Sequence, residues 1–346
     1  MINRRALLQT LLAVPTAATL ARCTRSAASQ DANVNPRAAR GEPLSSGGSA
    51  TQLPRWPSPR ARASSAFSQR WGDGRAELIG YEAVSPRYGH LRPAELVLVY
   101  VTEPFSRRTL IKDDSAQGDD RMDMLKVNVS EKFQTGIYPY SLLTSVFCPS
   151  DVYGRERFSP AKITLSAQEW CGHVFAGVWP DQDAFLQRAM SYFASEGEVD
   201  QRVSAPSDVL YEDALLVQLR ELDGPFANGS NWQGHVVPAL WRNRRAHQTL
   251  VPDPARITRS QPSAEITRFR LETGQFWREF DVESSGEKRI AAMRSSDGGR
   301  ARLLRSARLP YWQLNSPGDE SHRADLGLSP LPQQVIAPDG TVRVGF

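Results

Sequence analysis

The stretch AQEWCGHVF, residues 167–175, brings together a carboxylate, a thiol and an imidazole, three groups that can do chemistry. If residues 161–175 form one extended strand, Glu169, Cys171 and His173 lie on the same face, because side chains two positions apart share a face. This pattern predicts a small constellation of reactive groups beside a tryptophan.

Two kinds of chemistry fit this constellation. Cys171 and His173 can share a metal ion if another strand adds ligands, and His235 and His90 are the available imidazoles. Alternatively, Cys171 is a nucleophile activated by His173, with Glu169 as the group that orients the base. A Cys-x-His pattern is less specific than paired CxxC motifs, so a structural or ligand-lining role is the third alternative. The sequence predicts no cofactor.

The same face changes in character along its length. Ile163, Leu165 and Ala167 precede Glu169 at alternate positions. This change from apolar to polar predicts that one end of the strand lies in the core and that the other opens into a cavity.

The cysteines offer a further alternative for this stretch. Apart from Cys23 near the N-terminus, the chain has only Cys148 and Cys171. An even pair in an oxidising compartment is typical of a disulfide, which would silence both thiols.

Aromatic residues supply a second set of candidates. Each can wall a ligand pocket or simply pack in a turn, since tyrosine and tryptophan combine an apolar body with a polar tip. The candidate ligand-binding residues are Tyr138, Tyr140, Trp170, Tyr311 and Trp312.

The elements that must position these residues are mostly strands. From Phe67 onward, short β-branched and aromatic runs alternate with turn signals, and examples of predicted strands are 161–175 and 236–241. One helix is predicted in mid-chain over SDVLYEDALLVQLREL, capped by Ser207 or Asp208. The pattern predicts a mainly β protein: a large antiparallel curved sheet, half-open barrel or sandwich with one mid-chain helix.

Composition and charge limit the function. The chain has 346 residues, 40% of them hydrophobic, and a net charge of +4. Residues 1–64 hold nine arginines against Asp31 and Glu42, so the rest of the chain is slightly acidic. The basic character therefore belongs to the N-terminal segment, and nucleic-acid binding is not predicted.

The N-terminus predicts export. Arg4 and Arg5 precede a short uncharged stretch, as in a twin-arginine signal, and residues 1–23 are assigned to this signal. Leu20-Ala21-Arg22-Cys23 resembles a lipoprotein box, so a lipid anchor at Cys23 is an alternative to simple cleavage. Residues 24–66 are rich in Ser, Ala, Gly, Pro and Arg and are predicted to be a disordered linker. Residues 67–346 then form the β-rich domain.

Several motifs carry a family resemblance: WGDGRAELIGYE, RYGHLRPAELVLVYVTEPF, FQTGIYPYSLLTSVF and QEWCGH. Over roughly residues 67–240 they resemble exported bacterial proteins often labelled "septum formation inhibitor Maf". The genuine Maf nucleotide pyrophosphatases open instead with Ser-Pro-Arg-Arg, whereas Ser85-Pro86-Arg87 is followed here by Tyr88. The resemblance implies an extracytoplasmic protein and transfers no catalytic residue.

Together these features predict an exported cell-envelope protein of the periplasm, or a membrane-anchored lipoprotein. It is expected to bind a lipid or other small hydrophobic or amphipathic ligand in an aromatic-lined concavity. The alternatives are a periplasmic hydrolase or metalloenzyme using Glu169, Cys171 and His173, and a scaffold for another envelope protein.

Overall fold

A computed structural model describes residues 52–222, 224–226, 231–331, 333–336 and 340–345. The predicted export signal 1–23, with Cys23, lies outside the described residues, as does the predicted linker up to residue 51. Strands dominate what is described, in agreement with the alternating patterns of the sequence.

The strands follow one another closely along the chain. They are β1 (Ala76–Arg87), β2 (His90–Ser106), β3 (Ile111–Lys112), β4 (Arg121–Thr135), β5 (Tyr138–Pro149), β6 (Lys162–Glu169), β7 (Gly172–Pro180), β8 (Ala184–Met190), β9 (Glu198–Ser204), β10 (Leu210–Tyr211), β11 (Trp232–Val237), β12 (Asp253–Ser263), β13 (Ile266–Thr273), β14 (Phe276–Glu283), β15 (Ile290–Ser295), β16 (Arg300–Leu309), β17 (Gln333–Ile336) and β18 (Val342–Gly345).

The α-helices of the described chain are short. They are α1 (Ser65–Trp71), α2 (Leu215–Glu221) and α3 (Leu240–Arg245). None of the helices in the described ranges has the length and apolar character needed to cross a bilayer.

Sixteen strands form a single sheet. Its order is β10-β11-β12-β13-β14-β15-β16-β1-β2-β4-β5-β6-β7-β8-β9, with β3 attached to β2, while β17 and β18 form a separate hairpin. Neighbours are antiparallel except β10 and β11, and the sheet ends at β10 and β9 without closing. The prediction of a large antiparallel sheet is confirmed, as one open sheet rather than two stacked ones.

The sheet surrounds helix α2. Every residue from Leu215 to Arg220 is buried, as expected of a helix enclosed on all sides. One core joins α2 to inner-face side chains from strands as distant in the sheet as β7 and β12. The hydroxyl of Tyr100 on β2 donates to the carbonyl of Leu216 at 3.0 Å, which ties the helix to the sheet.

The mid-chain helix is confirmed, but its predicted start at Ser207 or Asp208 is wrong. Leu210 and Tyr211 instead form β10, which pairs with Val236 and Val237 of β11, and a 3₁₀ turn then leads into α2. Leu210, which the sequence pattern placed in the helix, therefore lies in a strand instead, because tertiary contacts override a local helical pattern.

Two predicted strands also differ from the structure. Residues 161–175 form two strands, β6 and β7, joined by a hairpin turn at 170–171. The Glu169 carboxylate accepts the backbone N–H of Cys171 at 2.6 Å, and this local bond favours a turn over extended pairing. Residues 236–241 change from strand to helix before Leu240, where buried carboxylates accept the free N–H groups that begin α3.

The described part of the predicted linker packs on the sheet. Trp56 is buried against Tyr153, with ring centroids 5.5 Å apart. Ala61 forms a bridge with Val152, and Arg62 pairs with Asp151. Composition predicted disorder for residues 24–66 because large apolar residues are few. In residues 52–62, Leu53 and Trp56 pack in an outer-face cluster, and the backbone bridge and ion pair add to this attachment.

Candidate functional site

One end of the sheet carries a row of hairpin turns. In an antiparallel meander, alternate turns lie at the same end. The turns at 88–89, 136–137, 170–171 and 191–197 therefore line one rim, called here the open end. The opposite end, where β1 begins and β16 finishes, is called the closed end.

An aromatic cluster occupies the inner face at the open end. Tyr140 on β5 is its centre. Its ring stacks on Phe133 at 5.0 Å between centroids and lies 6.0 Å from Tyr138 and 6.1 Å from Trp241. Tyr138 in turn lies 6.4 Å from Trp170. The aromatic cluster consists of Tyr88, Phe133, Tyr138, Tyr140, Trp170 and Trp241.

The structure brings together three of the five predicted ligand-binding aromatics, namely Tyr138, Tyr140 and Trp170. The other two lie at the closed end. Tyr311 and Trp312 follow β16, whose last residue pairs with Ala76 at the start of β1. Tyr311 packs beside the outer face of the sheet, and Trp312 is 45% exposed. They do not share a pocket with the aromatic cluster.

Arg87, the last residue of β1, lies within this cluster and is only 8% exposed. Its guanidinium carbon is 4.0 Å from the ring centre of Tyr88, 5.5 Å from that of Tyr140 and 5.8 Å from that of Trp241. Nη2 donates to the hydroxyl oxygens of Tyr88 and Tyr140 at 3.2 and 3.4 Å. Among the described residues, Nε and Nη1 have no hydrogen-bond partner.

A cavity of about 30 Å³, called here the arginine pocket, opens beside Arg87. Arg244 and Arg245 of α3 also line it, together with Tyr140, Glu169, Tyr192, Phe193 and Trp241. Tyr192 is 60% exposed, so aromatic side chains mark the mouth of the pocket. The pocket thus combines one buried and two half-buried guanidinium groups with aromatic rings.

The other two arginines of the pocket have carboxylate partners. Arg244 pairs with Glu196 at 2.7 Å, and Arg245 pairs with Asp297. Burial, and to a lesser degree the positive charge of Arg87, lowers the pKa of Arg244. Arg87 and Arg244 are therefore close enough to repel each other.

A second cavity, of about 150 Å³, lies on the inner side of Trp241 and Arg245. Four carboxylates line it: Glu131, Glu212, Asp213 and Asp297, the last of which pairs with Arg245. Glu212 accepts from Arg242 at 2.7 Å and from the backbone N–H of Ala239 at 3.1 Å, and Asp213 accepts from the N–H of Leu240 at 2.9 Å. These two carboxylates cap α3, which has no cap of its own.

Glu131 on β4 is another carboxylate of this cavity, and burial raises its pKa. Burial, reinforced by the negative charge of Glu212, raises the pKa of Asp213 to about 6. The two groups can hold protons that ordinary carboxylates would release. The clearest role of Asp213, together with Glu212, is to anchor α3, the helix that carries Trp241 and Arg245 between the two cavities.

The inner face of β6 follows the prediction. Ile163, Leu165 and Ala167 are buried, and Glu169 lines the arginine pocket. The change from core to cavity along this strand is confirmed.

Cys171 and His173 do not continue this face. Cys171 lies in the turn and is exposed, and His173 is exposed on β7 opposite Gln168. A hydrogen bond to Glu169 raises the pKa of the Cys171 thiol, and this opposes formation of the thiolate that a nucleophile needs.

The described residues contain no group of three or more His, Cys, Asp or Glu side chains close enough together to hold a metal ion. His235 lies on β11, separated in the sheet order from the hairpin that carries Cys171 and His173.

The disulfide alternative does not fit the strand register. Cys148 is buried near the end of β5, and Cys171 is exposed, both as free thiols. Ser141 pairs with Gln168 beside the Cys171 turn. At about 3.3 Å per residue along β5, Cys148 is roughly 20 Å away. A disulfide needs Cα atoms within about 7 Å.

Sequence reasoning did not nominate Arg87, Tyr88 or Trp241 for the site. The sequence of β1 did carry a signal for Arg87. Strand alternation places Ile79, Tyr81 and Ala83 on the inner face, and Arg87, four residues after Ala83, lies on the same face. Pro86 does not end this strand, since it pairs with Leu91 of β2 and β1 continues to Arg87. Trp241 carries no such signal, because it comes from a distant helix.

Comparisons with protein-family models, with curated proteins and with solved structures find no match for this chain. The candidate site therefore rests on its own geometry.

Proposed function

We propose that this protein binds an amphipathic small molecule at the open end of its sheet, with the apolar part of the ligand on the aromatic cluster. The observation that carries the proposal is the continuity of the cluster from core to solvent. Tyr140 is buried, Tyr138 is half-buried and Trp170 is 69% exposed, with their rings in contact.

Exposed apolar side chains extend this surface along the rim. Ile137, Met190, Tyr192 and Phe193 lie in or beside the same hairpin turns, and all are exposed. Tyr192 and Phe193 contact each other, with ring centroids 5.2 Å apart. Exposed apolar side chains in contact are typical of binding sites, whereas isolated exposed apolar residues are common everywhere. The rim supports a ligand that enters from solvent and lies partly on the surface.

The N-terminal sequence supports export of the protein before it binds its ligand. A twin-arginine signal requires the arginine pair itself. We expect replacement of both Arg4 and Arg5 by lysine to retain a tagged full-length chain in the cytoplasm, measured by cell fractionation against the unchanged chain. Equal amounts of both chains in the exported fraction would contradict this route.

Binding is tested with a neutral probe, a dansyl-labelled fatty alcohol, titrated into the full-length protein. We expect Trp170→Ala to weaken binding by roughly tenfold, because one large buried contact contributes about 1.5 kcal/mol or more. The matched control is Trp312→Ala, which removes another partly exposed tryptophan at the closed end and should leave binding unchanged. Absence of binding, or equal loss in both variants, would refute the proposal.

A further inference from the structure

Arg87 is an incomplete ion pair. A buried guanidinium without a counter-ion is unfavourable, because burial removes the water that solvates its charge. The faces of Tyr88, Tyr140 and Trp241 and the two tyrosine hydroxyls offset part of this loss. Nε and Nη1 remain buried donors with no acceptor in the described chain.

The acids around the pocket are already engaged elsewhere. Glu196 pairs with Arg244, Asp297 pairs with Arg245, and Glu169 accepts the backbone N–H of Cys171. Among the described residues, Arg87 therefore has no carboxylate within ion-pairing distance, although Glu169 also lines the pocket. An added anion would satisfy Arg87 and also relieve its repulsion with Arg244.

The aromatic rings by themselves would also suit a cationic ligand. Here, however, the ring faces of Tyr88, Tyr140 and Trp241 already receive the guanidinium of Arg87. A second cation at the same faces would be repelled at close range. The Arg87 guanidinium, whose Nε and Nη1 lack an acceptor in the described chain, thus favours an anion.

The dimensions of the pocket suggest which anion. Its volume of about 30 Å³ corresponds to roughly two water-sized positions. Two oxygens of a carboxylate match this space, and the exposed rings of Tyr192 and Phe193 at the mouth offer a surface for an attached apolar chain.

We infer that the ligand carries a carboxylate that enters the arginine pocket and binds Arg87, while its apolar chain leaves over Tyr192 and Phe193. This inference rests on the proposed function and names the polar end of the same ligand. It assigns Arg87 as the residue that determines ligand class, since charged hydrogen bonds are both strong and selective for charge.

The test compares two probes of equal chain length, a dansyl-labelled fatty acid and the corresponding dansyl-labelled fatty alcohol, on the full-length protein. We expect the unchanged protein to bind the acid roughly tenfold to hundredfold more tightly than the alcohol. In Arg87→Met this preference should vanish, with alcohol binding retained. Arg302→Gln removes an equally charged but exposed arginine and should keep the preference.

The outcomes separate the two proposals. If the alcohol binds as tightly as the acid and Arg87→Met changes neither affinity, the carboxylate inference is wrong and amphipathic binding stands. If neither probe binds the unchanged protein, the proposed function fails first. Tyr140→Phe provides a second variant should Arg87→Met not fold: loss of a hydroxyl that holds Arg87 should reduce the acid preference, and an unaltered preference would count against the inference.

Discussion

Two buried arginines at opposite ends of the sheet differ in one respect. Arg220 at the closed end lies 4.2 Å from the ring centre of Tyr100, and Arg87 at the open end lies 4.0 Å from that of Tyr88. Arg220, however, donates to the Glu77 carboxylate at 2.9 Å and to two backbone carbonyls. Arg87 donates to two phenol hydroxyls, and no carboxylate of the described residues pairs with it.

The inner face of β1 connects the two ends of the sheet. The first residue of this face is Glu77 and the last is Arg87, roughly 30 Å away. Each guanidinium keeps a buried donor without an acceptor in the described chain, but only Arg220 has a carboxylate partner. A buried charge with its partner in the chain fixes the fold. A buried charge without a partner marks a place where a ligand can supply one.

The largest effect is expected from Arg220→Met. This change removes the closer cation of the buried Glu77 and leaves only Arg70 at 3.7 Å, so we expect the free energy of unfolding to fall by about 3 kcal/mol. Urea unfolding of the full-length chain measures it. A loss below about 1 kcal/mol would mean that the closed end is not held by this pair.

Asp213 tests how the open end is supported, because it caps the helix that carries Trp241. Its pKa is raised to about 6 in the folded state by burial, so the folded protein binds this proton more strongly than the unfolded chain does. Its contribution to stability is present below about pH 4 and is lost as pH rises to about 6.

We therefore expect Asp213→Asn, which keeps an oxygen for the Leu240 N–H, to be more stable than the unchanged protein at neutral pH. The difference should be on the order of 2 kcal/mol and should shrink toward pH 4. Thermal unfolding across this pH range measures it. A constant difference at every pH would contradict the raised pKa.

Arg87→Met should have the smaller effect of the two arginine variants. Removing an unpaired buried charge relieves desolvation while losing ring contacts, so we expect the free energy of unfolding to change by no more than about 1 kcal/mol in either direction. Urea unfolding beside Arg220→Met gives the comparison directly. Losses of equal size would show that Arg87 is as structural as Arg220.

The reactivity of the two cysteines compares the same two ends of the sheet without a measurement of stability. Cys148 lies on β5 toward the closed end and is buried, whereas Cys171 lies at the open end and is exposed. We expect alkylation of the native protein to modify Cys171 and to reach Cys148 only after unfolding, as mapped by peptide mass. Protection of both thiols until reduction would restore the disulfide alternative.

The fold could be predicted from sequence to the extent that inner and outer positions alternate. Strands such as β2 and β6 show this alternation or a continuous apolar run. In contrast, β12 was not predicted, because its sequence DPARITRSQPS holds two prolines and buries only Ile257. The start of α2 was misplaced because Leu210 and Tyr211 meet a strand far along the chain, which no local pattern records.

The site was predictable only in part. Tyr138, Tyr140 and Trp170 were nominated because aromatic residues at turn tips are visible in the sequence. The missing counter-ion of Arg87 could not be predicted, because it depends on all the side chains that the fold places around this residue. Cys171 and His173 were predicted to share a face with Glu169 only because residues 161–175 were assumed to form one continuous strand. The hairpin turn separates their side chains from the inner face.

The most direct measurement is a crystal structure of the full-length protein grown with a fatty acid. The account predicts the carboxylate in the arginine pocket, within hydrogen-bonding distance of the Arg87 guanidinium, with the acyl chain over Tyr192 and Phe193. A fatty acid bound elsewhere, with Arg87 still in contact with tyrosine alone, would contradict it.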